Sequence, residues 1–381
     1  MDIKPRFRGF ICTNAHPEGC REQVKEQIDF IQKQPRLTNG PKNVLVIGAS
    51  KGFGLSARIV SAFGAGASTI GVFSGGQGNS RRGASAGWYN SMAFEEFAHQ
   101  EGLYAKHVNG DAFSNEIKDE TIQLIKQDLG KIDLVIYSLA TAKRTDPQTG
   151  EAYYSVLKPI GSPYQNKTVH FHTGEVTNVE IQPANEEEIS DTVKVMGGED
   201  WHSWMLALKE ADVLSQGVKT IAFSYIGPEM THPIYRNGTI GRAKDHLEET
   251  AHELSKELSS INGQAIVTVC KGLVTQSSTA IPVIPLYISA LYKVMKEKGI
   301  HEGCIEQMNR LYQDFLYSNQ SPQLDKEGRI RIDDWEMRAD VQQKVSEILA
   351  KVNSKNVYEL TDLKGFREDF FHLFGFEADQ E

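Results

Sequence analysis

The chain is short of cysteine, of positive charge and of long apolar runs, and each shortage excludes something. Four cysteines, Cys12, Cys20, Cys270 and Cys304, stand among 381 residues with no Cys-x-x-Cys pair. That usage builds no disulfide framework and suits a reducing compartment, so small buried thiols and a cytoplasmic setting are expected. Forty-one Lys and Arg against fifty Asp and Glu leave a net charge of −9, which argues against the basic footprint of a nucleic-acid binder. The first residues, Met1-Asp-Ile-Lys-Pro-Arg-Phe-Arg8, contain no apolar core, so no secretory leader is expected. The most apolar stretch, Ile281 to Met295, is broken by Pro282 and Pro285 and falls short of the ~20 residues of a spanning helix. It reads as a buried helix beside a site, with no stable membrane association. Lys293, Lys296 and Lys298 leave an interfacial helix as the alternative.

What is present is ordinary globular material, 40% hydrophobic and 24% charged, enough for one large or two ordinary domains. The first 140 residues alternate strands with helices. Strands are predicted at 44–48, 69–73, 104–109 and 132–137, and helices at about 55–63, 88–100 and 114–129. Such alternation predicts an α/β fold, a Rossmann-type doubly wound parallel sheet with helices on both faces. Pro147, Gly150, Pro159, Gly161 and Pro163 interrupt the pattern over about 141–187, where Thr168–His172 and Val176–Ile181 suggest a small β-hairpin insertion. A helix is expected after Asn185, which is followed by three glutamates. Strands resume at 220–225 and 264–270, and from about 281 to 381 the chain reads as a helical substrate-side and C-terminal cover. The expected organisation is a single domain with a Rossmann core over about 40–275.

Gly48, Ala49, Ser50, Lys51, Gly52, Phe53 and Gly54 follow the first core strand and open a helix. Glycines there let backbone approach a pyrophosphate, and the helix N-terminus offers it free N–H groups. A plain tight turn is the alternative. The second strand runs into Ser74 and Gly75, and on through Gln77 to Ser80, Arg81 and Arg82, without a carboxylate. An acid there would bind the ribose hydroxyls; the serines and arginines can instead receive a 2′-phosphate, or form a solvated loop. Asp111-Ala112 and Leu139-Ala140 fall at strand carboxyl ends, where an open α/β sheet binds ligand, though Asp111 also suits simple turn capping.

Tyr235 and Lys244 stand nine positions apart with Gly238 and Gly241 between them. At about 100° per residue, one continuous helix would point them apart. Tyr235 is therefore predicted in a loop, with a helix from near Thr239 carrying Lys244 into the same cleft. A phenol and an ammonium beside a nicotinamide can serve a substrate oxygen, Lys244 holding the ribose and favouring ionisation of the phenol. Tyr225 ends the preceding strand as a second phenol or a buried structural one. His170-x-His172 would put two imidazoles on one strand face, too few ligands for a metal site, and none is expected. Glu199-Asp-Trp-His-Ser-Trp204 would line a substrate mouth or simply pack.

Taken with Ala86-Gly-Trp-Tyr-Asn90, Met196-Gly-Gly-Glu-Asp-Trp201, Leu273-Val-Thr-Gln276, Ile281-Pro-Val-Ile-Pro-Leu-Tyr287 and His301-Glu-Gly-Cys304, the glycine turn and the Tyr-x8-Lys spacing resemble the trans-2-enoyl-CoA reductase family. That family includes the FabV-type enoyl-acyl-carrier-protein reductases and lies within the short-chain dehydrogenase superfamily. The resemblance runs over essentially the whole chain. It implies a mainly monomeric, cytoplasmic enzyme of fatty acid biosynthesis that reduces the 2,3 double bond of an enoyl-CoA or enoyl-acyl-carrier-protein, with no flavin or metal. Tyr235 would be the proton donor and Tyr225 a substrate contact. The cofactor would touch residues 48–54, Ser74-Gly75, Asp111-Ala112, Leu139-Ala140, Lys244, Leu273, Val274 and Thr275. Where the family carries an aromatic-Glu pair favouring NADH, this chain has Ser74-Gly75, which leaves both NADH and NADPH as cofactors. The alternatives are a short-chain alcohol/ketone oxidoreductase and a degenerate nucleotide-binding sensor.

Overall fold

Strands buried on both faces read as unbroken apolar runs. Val44 and Val46 pack into the core on one face of the sheet, Leu45 and Ile47 into the core on the other. The computed structural model describes residues 3–8, 11–79, 83–276 and 278–377. A short ladder, β1 (Phe7–Arg8) with β2 (Ile11–Cys12), precedes α1 (Pro17–Gln32). The alternating half contains β3 (Asn43–Ile47), α2 (Gly52–Ile59), β4 (Ser68–Phe73), α3 (Ala86–Gln100), β5 (Ala105–Asn109), α4 (Asn115–Asp128) and β6 (Ile132–Tyr137). Two antiparallel ladders follow, β7 (Lys143–Thr145) with β8 (Ala152–Tyr154) and β9 (Tyr164–His170) with β10 (Glu175–Ile181). Next come α5 (Glu186–Met196), α6 (Glu199–Glu210), β11 (Leu214–Ser224), α7 (Thr239–Glu257) and β12 (Gln264–Val269). The cover is α8 (Ile284–Glu297), α9 (Cys304–Arg310), β13 (Ile330–Arg331), α10 (Ala339–Lys351), α11 (Val357–Leu360) and α12 (Leu363–His372).

Seven parallel strands form the sheet in the order β13-β12-β11-β6-β3-β4-β5. From β3 the chain winds out to β5, then returns past β3 to β6 and winds the other way. The strand order therefore reverses between β3 and β6, and the crevice beyond their carboxyl ends is where such sheets take a ligand. One face is covered by α1, α2, α3 and α9, the other by α4, α6 and α7. A third core joins α8, α10 and α12 to the hairpin and to Leu273 and Val274.

The structure departs from expectation at several places. α2 starts at Gly52 rather than near 55, so two of the three motif glycines lie inside its first turn. α1 falls in a segment without a predicted element; it is capped by the His16 ring, which accepts from Gly19 N at 3.2 Å. The cover supplies the sheet's edge strand β13 as well as helices. β9 ends at His170, and Phe171 to Gly174 form the turn, with Gly174 at φ +74°. His172 is therefore not on a shared strand face with His170. Trp201 and Trp204 are fully buried in the sheet core and line no mouth.

Candidate active site

Gly48 leaves β3 at φ +89°, and a Cβ on it would stand 2.2 Å from Ser138 O at the end of β6. A Cβ on Gly54 would stand 2.1 Å from Gly48 O. Only glycine permits this close folding of turn upon strand. At Gly52, also left-handed at φ +53°, the nearest atom to such a Cβ is Thr275 Cγ2 at 4.0 Å, so the turn opens towards residues 273–275. No side chain caps the N-terminus of α2, whose cap residue is Lys51; the free N–H groups face the crevice as an anion site. These features fit a pyrophosphate. Lys51 Nζ meets Gln276 Oε1, a second tie between turn and loop. Ser50 O accepts from Asn90 Nδ2 at 3.0 Å, and Leu139 Cδ2 lies 3.3 Å from the same Gly48 Cβ position.

The remaining cofactor candidates border the same edge with different degrees of freedom. Gly75 exchanges two hydrogen bonds with the Asn109 side chain, at 2.8 and 3.0 Å. A Cβ at Gly75 would press on the Phe73 ring at 2.8 Å and on Ser85 Oγ at 3.1 Å. Ser74 is exposed, whereas Ser80, Arg81 and Arg82 lie outside the described residues. Asp111 is exposed, one carboxylate oxygen capping Phe113 N at 3.1 Å. Ala112 is buried with its carbonyl taken by Trp204 Nε1 at 3.0 Å, and Ala140 is exposed.

Tyr235 lies in the loop before α7, as the spacing predicts. Its N–H donates to Thr231 O at 2.9 Å, and Gly238 then caps the helix. Gly241 is required there: a Cβ would meet Arg236 O at 1.9 Å. Lys244 is buried on the first turns of α7 and donates to Phe223 O at 3.0 Å. Phe223 packs its ring 5.5 Å from that of Phe53 in the glycine turn, which joins the two motifs. Burial lowers the Lys244 ammonium to about 8, opposed by Cys270 and Glu248. The Tyr235 phenol is raised by burial and by the Cys270 thiol. The expected easing of its ionisation by Lys244 does not appear among the influences on it, and desolvation disfavours a buried phenolate. A neutral phenol is the form that donates. Among the described residues, Tyr235 Oη meets no hydrogen-bond partner.

Tyr225 sits edge-on to Tyr235, ring centroids 4.9 Å apart at 81°. Its surroundings differ: its hydroxyl donates to Glu336 Oε1 at 2.9 Å. Burial first, then the Glu336 charge, holds its pKa well above the ordinary value. The sequence marks none of Glu336, Tyr287 and Cys270 as a site residue. Cys270 N donates to Ser224 O at 2.9 Å, and its thiol acts on both Tyr235 and Lys244.

A pyrophosphate cradle at the switch point, with a phenol and a buried ammonium beyond the neighbouring strands, is the arrangement of a Rossmann-class, dinucleotide-dependent oxidoreductase. The chain belongs to the trans-2-enoyl-CoA reductase family: residues 82–317 match the model of the trans-2-enoyl-CoA reductase catalytic region. Residues 2–79 match the NAD(P)H binding domain of trans-2-enoyl-CoA reductase. Over 378 residues the chain is 61% identical to an enoyl-[acyl-carrier-protein] reductase [NADH] of Coxiella burnetii, covering 99% of this chain and 93% of that one. It is 57% identical over 377 residues to a trans-2-enoyl-CoA reductase [NADH] of Ruminiclostridium cellulolyticum, covering 99% and 95%. The crystal structure of Clostridium acetobutulicum trans-2-enoyl-CoA reductase in complex with NADH matches with a TM-score of 0.96 at 46% identity, covering 99% and 95%.

Residues 324–380 match a model described as an enoyl reductase FAD binding domain. The described residues there do not fit a flavin. Val341, Val345, Phe366, Phe370 and Phe371 are turned into the core shared with α8. The three glycines of the segment, Gly328, Gly365 and Gly375, stand at separate turns and build no phosphate cradle. The cavity bordering it, lined by Met230, Val283, Leu286, Tyr287 and Leu349, measures about 20 Å³, room for one water.

Proposed function

We propose that this chain reduces the 2,3 carbon–carbon double bond of trans-2-enoyl thioesters, on coenzyme A or acyl-carrier protein, in fatty acid biosynthesis. The observation carrying the reading is the phenol of Tyr235, without a hydrogen-bond partner among the described residues and packed edge-on against Tyr225. When bound, the nicotinamide supplies a hydride to the β-carbon of the substrate. Negative charge then develops on the thioester oxygen, Tyr235 donates to it a hydrogen bond that strengthens as the charge grows, and a proton taken up at the α-carbon completes the saturated thioester. Lys244, held by Phe223 O, would bind the nicotinamide ribose. The glycine turn would bind the pyrophosphate, while Asp111, Leu139, Ala140 and Leu273 to Thr275 would line the cofactor's path. NADH is the proposed donor, and Gly75 in place of an acid admits NADPH as well. We take residues 1–381 as one domain, a reading supported by a core that joins Cys12 to Phe376, and propose a monomeric, cytoplasmic protein. No helix among the described residues is long and apolar enough to cross a membrane.

The test is one side-by-side assay of crotonyl-CoA, a long-chain enoyl-CoA and an enoyl-acyl-carrier protein, each with NADH and NADPH. Simple ketones serve as the control for the alcohol/ketone oxidoreductase alternative. Cofactor oxidation with at least one enoyl thioester is expected. Oxidation with ketones alone, or with no substrate, would sink the assignment.

A further inference from the structure

Glu336, between β13 and α10, is completely withdrawn from solvent. Three donors converge on its carboxylate. Tyr225 Oη at 2.9 Å and Tyr287 Oη at 2.6 Å reach Oε1, and Gly272 N reaches Oε2 at 2.6 Å. Gln342 Nε2 completes the group, donating to Tyr287 Oη at 3.0 Å and to the Glu336 carbonyl at 2.8 Å. Both carboxylate oxygens therefore accept, which is the pattern of the ionised form. Burial raises the pKa of this carboxyl above the ordinary value, opposed by the Tyr287 and Gly272 hydrogen bonds and by the Lys271 charge.

An apolar side chain of similar volume would fill this place without the cost of desolvating a charge. What the carboxylate adds is a link between two distant pieces of the site. One is the phenol packed edge-on against Tyr235. The other is the first residue of the Gly272–Thr275 loop, whose Thr275 faces Gly52 of the glycine turn. Room is left for the phenol by two glycines: a Cβ on Gly227 would meet Tyr225 Oη at 2.7 Å, and one on Gly272 at 3.2 Å.

We propose that Glu336 is a positioning residue for the reduction, holding Tyr225 and the Gly272–Thr275 loop as one unit and leaving Tyr235, of the two phenols, as the one without a partner among the described residues. With its hydrogen committed to Glu336, the Tyr225 oxygen has only lone pairs left to offer. Tyr225 is then an oriented acceptor and wall beside Tyr235, not a second acid. The proposal rests on the reading of the site given under Proposed function.

The test joins a double-mutant cycle on kcat to a direct titration of NADH binding by fluorescence, with folding checked by circular dichroism. Removing one partner of a buried, charged hydrogen-bond group is worth about 10- to 100-fold. Glu336→Gln is expected to lower kcat by that factor. It is also expected to weaken NADH binding about tenfold, because an amide cannot accept from all three donors at once. Tyr225→Phe is expected to lower kcat while NADH binding stays within about twofold, since Glu336 still holds Gly272. The double variant Y225F/E336Q should fall within about twofold of E336Q, the non-additivity of groups acting as a unit. Additive losses in kcat, or E336Q within twofold of the unmodified enzyme in both readouts, overturn the proposal. If E336Q does not fold, Tyr287→Phe, which removes another donor to Glu336, takes its place: a loss in kcat of about threefold or more supports the proposal, and kcat closer than that to the unmodified enzyme overturns it. The parent reading fails separately, through a Tyr235→Phe variant that keeps its turnover or an unmodified enzyme inactive on crotonyl-CoA.

Discussion

The two ends of the crevice are built from different materials. At the proposed pyrophosphate end the working parts are backbone: Gly48 and Gly54 in contact with main-chain carbonyls, and the open N-terminus of α2. At the proposed reacting end they are side chains brought from β11, the loop before α7, α7, α8 and the cover. The first end is expected to fail when a single methyl is added, the second when a single oxygen is taken away. The difference teaches that close approach needs empty space, which glycine supplies locally, whereas a developing charge needs a donor whose proton is uncommitted.

The contrast can be broken first at Tyr235. Tyr235→Phe is expected to lower turnover by about 10²–10³ with NADH binding intact, measured in steady state with crotonyl-CoA. Turnover within a few-fold of the unmodified enzyme would move the proton donor elsewhere. At the opposite end, Gly54→Ala forces a Cβ against Gly48 O, where neither backbone can yield. It is expected to destabilise the fold by about 1–3 kcal/mol and to weaken NADH binding more than any reacting-end variant. Calorimetry and titration measure the two effects, and normal NADH affinity in G54A would show that the turn is not the cradle.

Lys244 joins the two ends, and its test is pH. Its ammonium is kept below about pH 8 and lost above it, so kcat/KM should fall along an alkaline limb near pH 8, about tenfold per unit. Lys244→Arg stays charged and should move that limb upward; an unmoved limb would assign it to another group. The stability sign is opposite. A lysine whose folded pKa is lowered from 10.5 to about 8 binds its proton less tightly folded than unfolded. Its burial penalty is carried in full below pH 8 and relieved between about 8 and 10.5, where stability rises with pH. The smallest expected effect is at Gly75. Gly75→Glu should shift preference from NADPH towards NADH by about fivefold, the scale of an exposed charge. Its Cβ presses on the Phe73 ring, so a slightly lower Tm is expected as well. Unchanged cofactor ratios would place the 2′ position away from this loop.

Legibility from sequence divides along the same line. The glycine turn, the alternating strands and the Tyr235 loop could be read because their constraints act within about ten residues. A left-handed glycine and a helix that must start after Gly238 leave marks on their immediate neighbours. Asp111 shows how such reading can stay ambiguous: a ligand acceptor and a turn cap look alike in sequence, and here one oxygen is a cap. Glu336 was invisible for the opposite reason. Its partners Tyr225 and Gly272 lie 111 and 64 residues away, and in Asp333-Asp-Trp-Glu336 it resembles any solvated acid. β13 was missed likewise, since two residues carry no period and only pairing with β12 makes them a strand.

By itself, then, the sequence determined the doubly wound core, the glycine turn and the loop-then-helix that separates Tyr235 from Lys244, because each follows from short-range sterics and periodicity. Only the tertiary structure decided that the two tyrosines differ. One phenol meets no partner among the described residues and the other donates to a buried carboxylate, a distinction set by which remote side chains the cover brings against them.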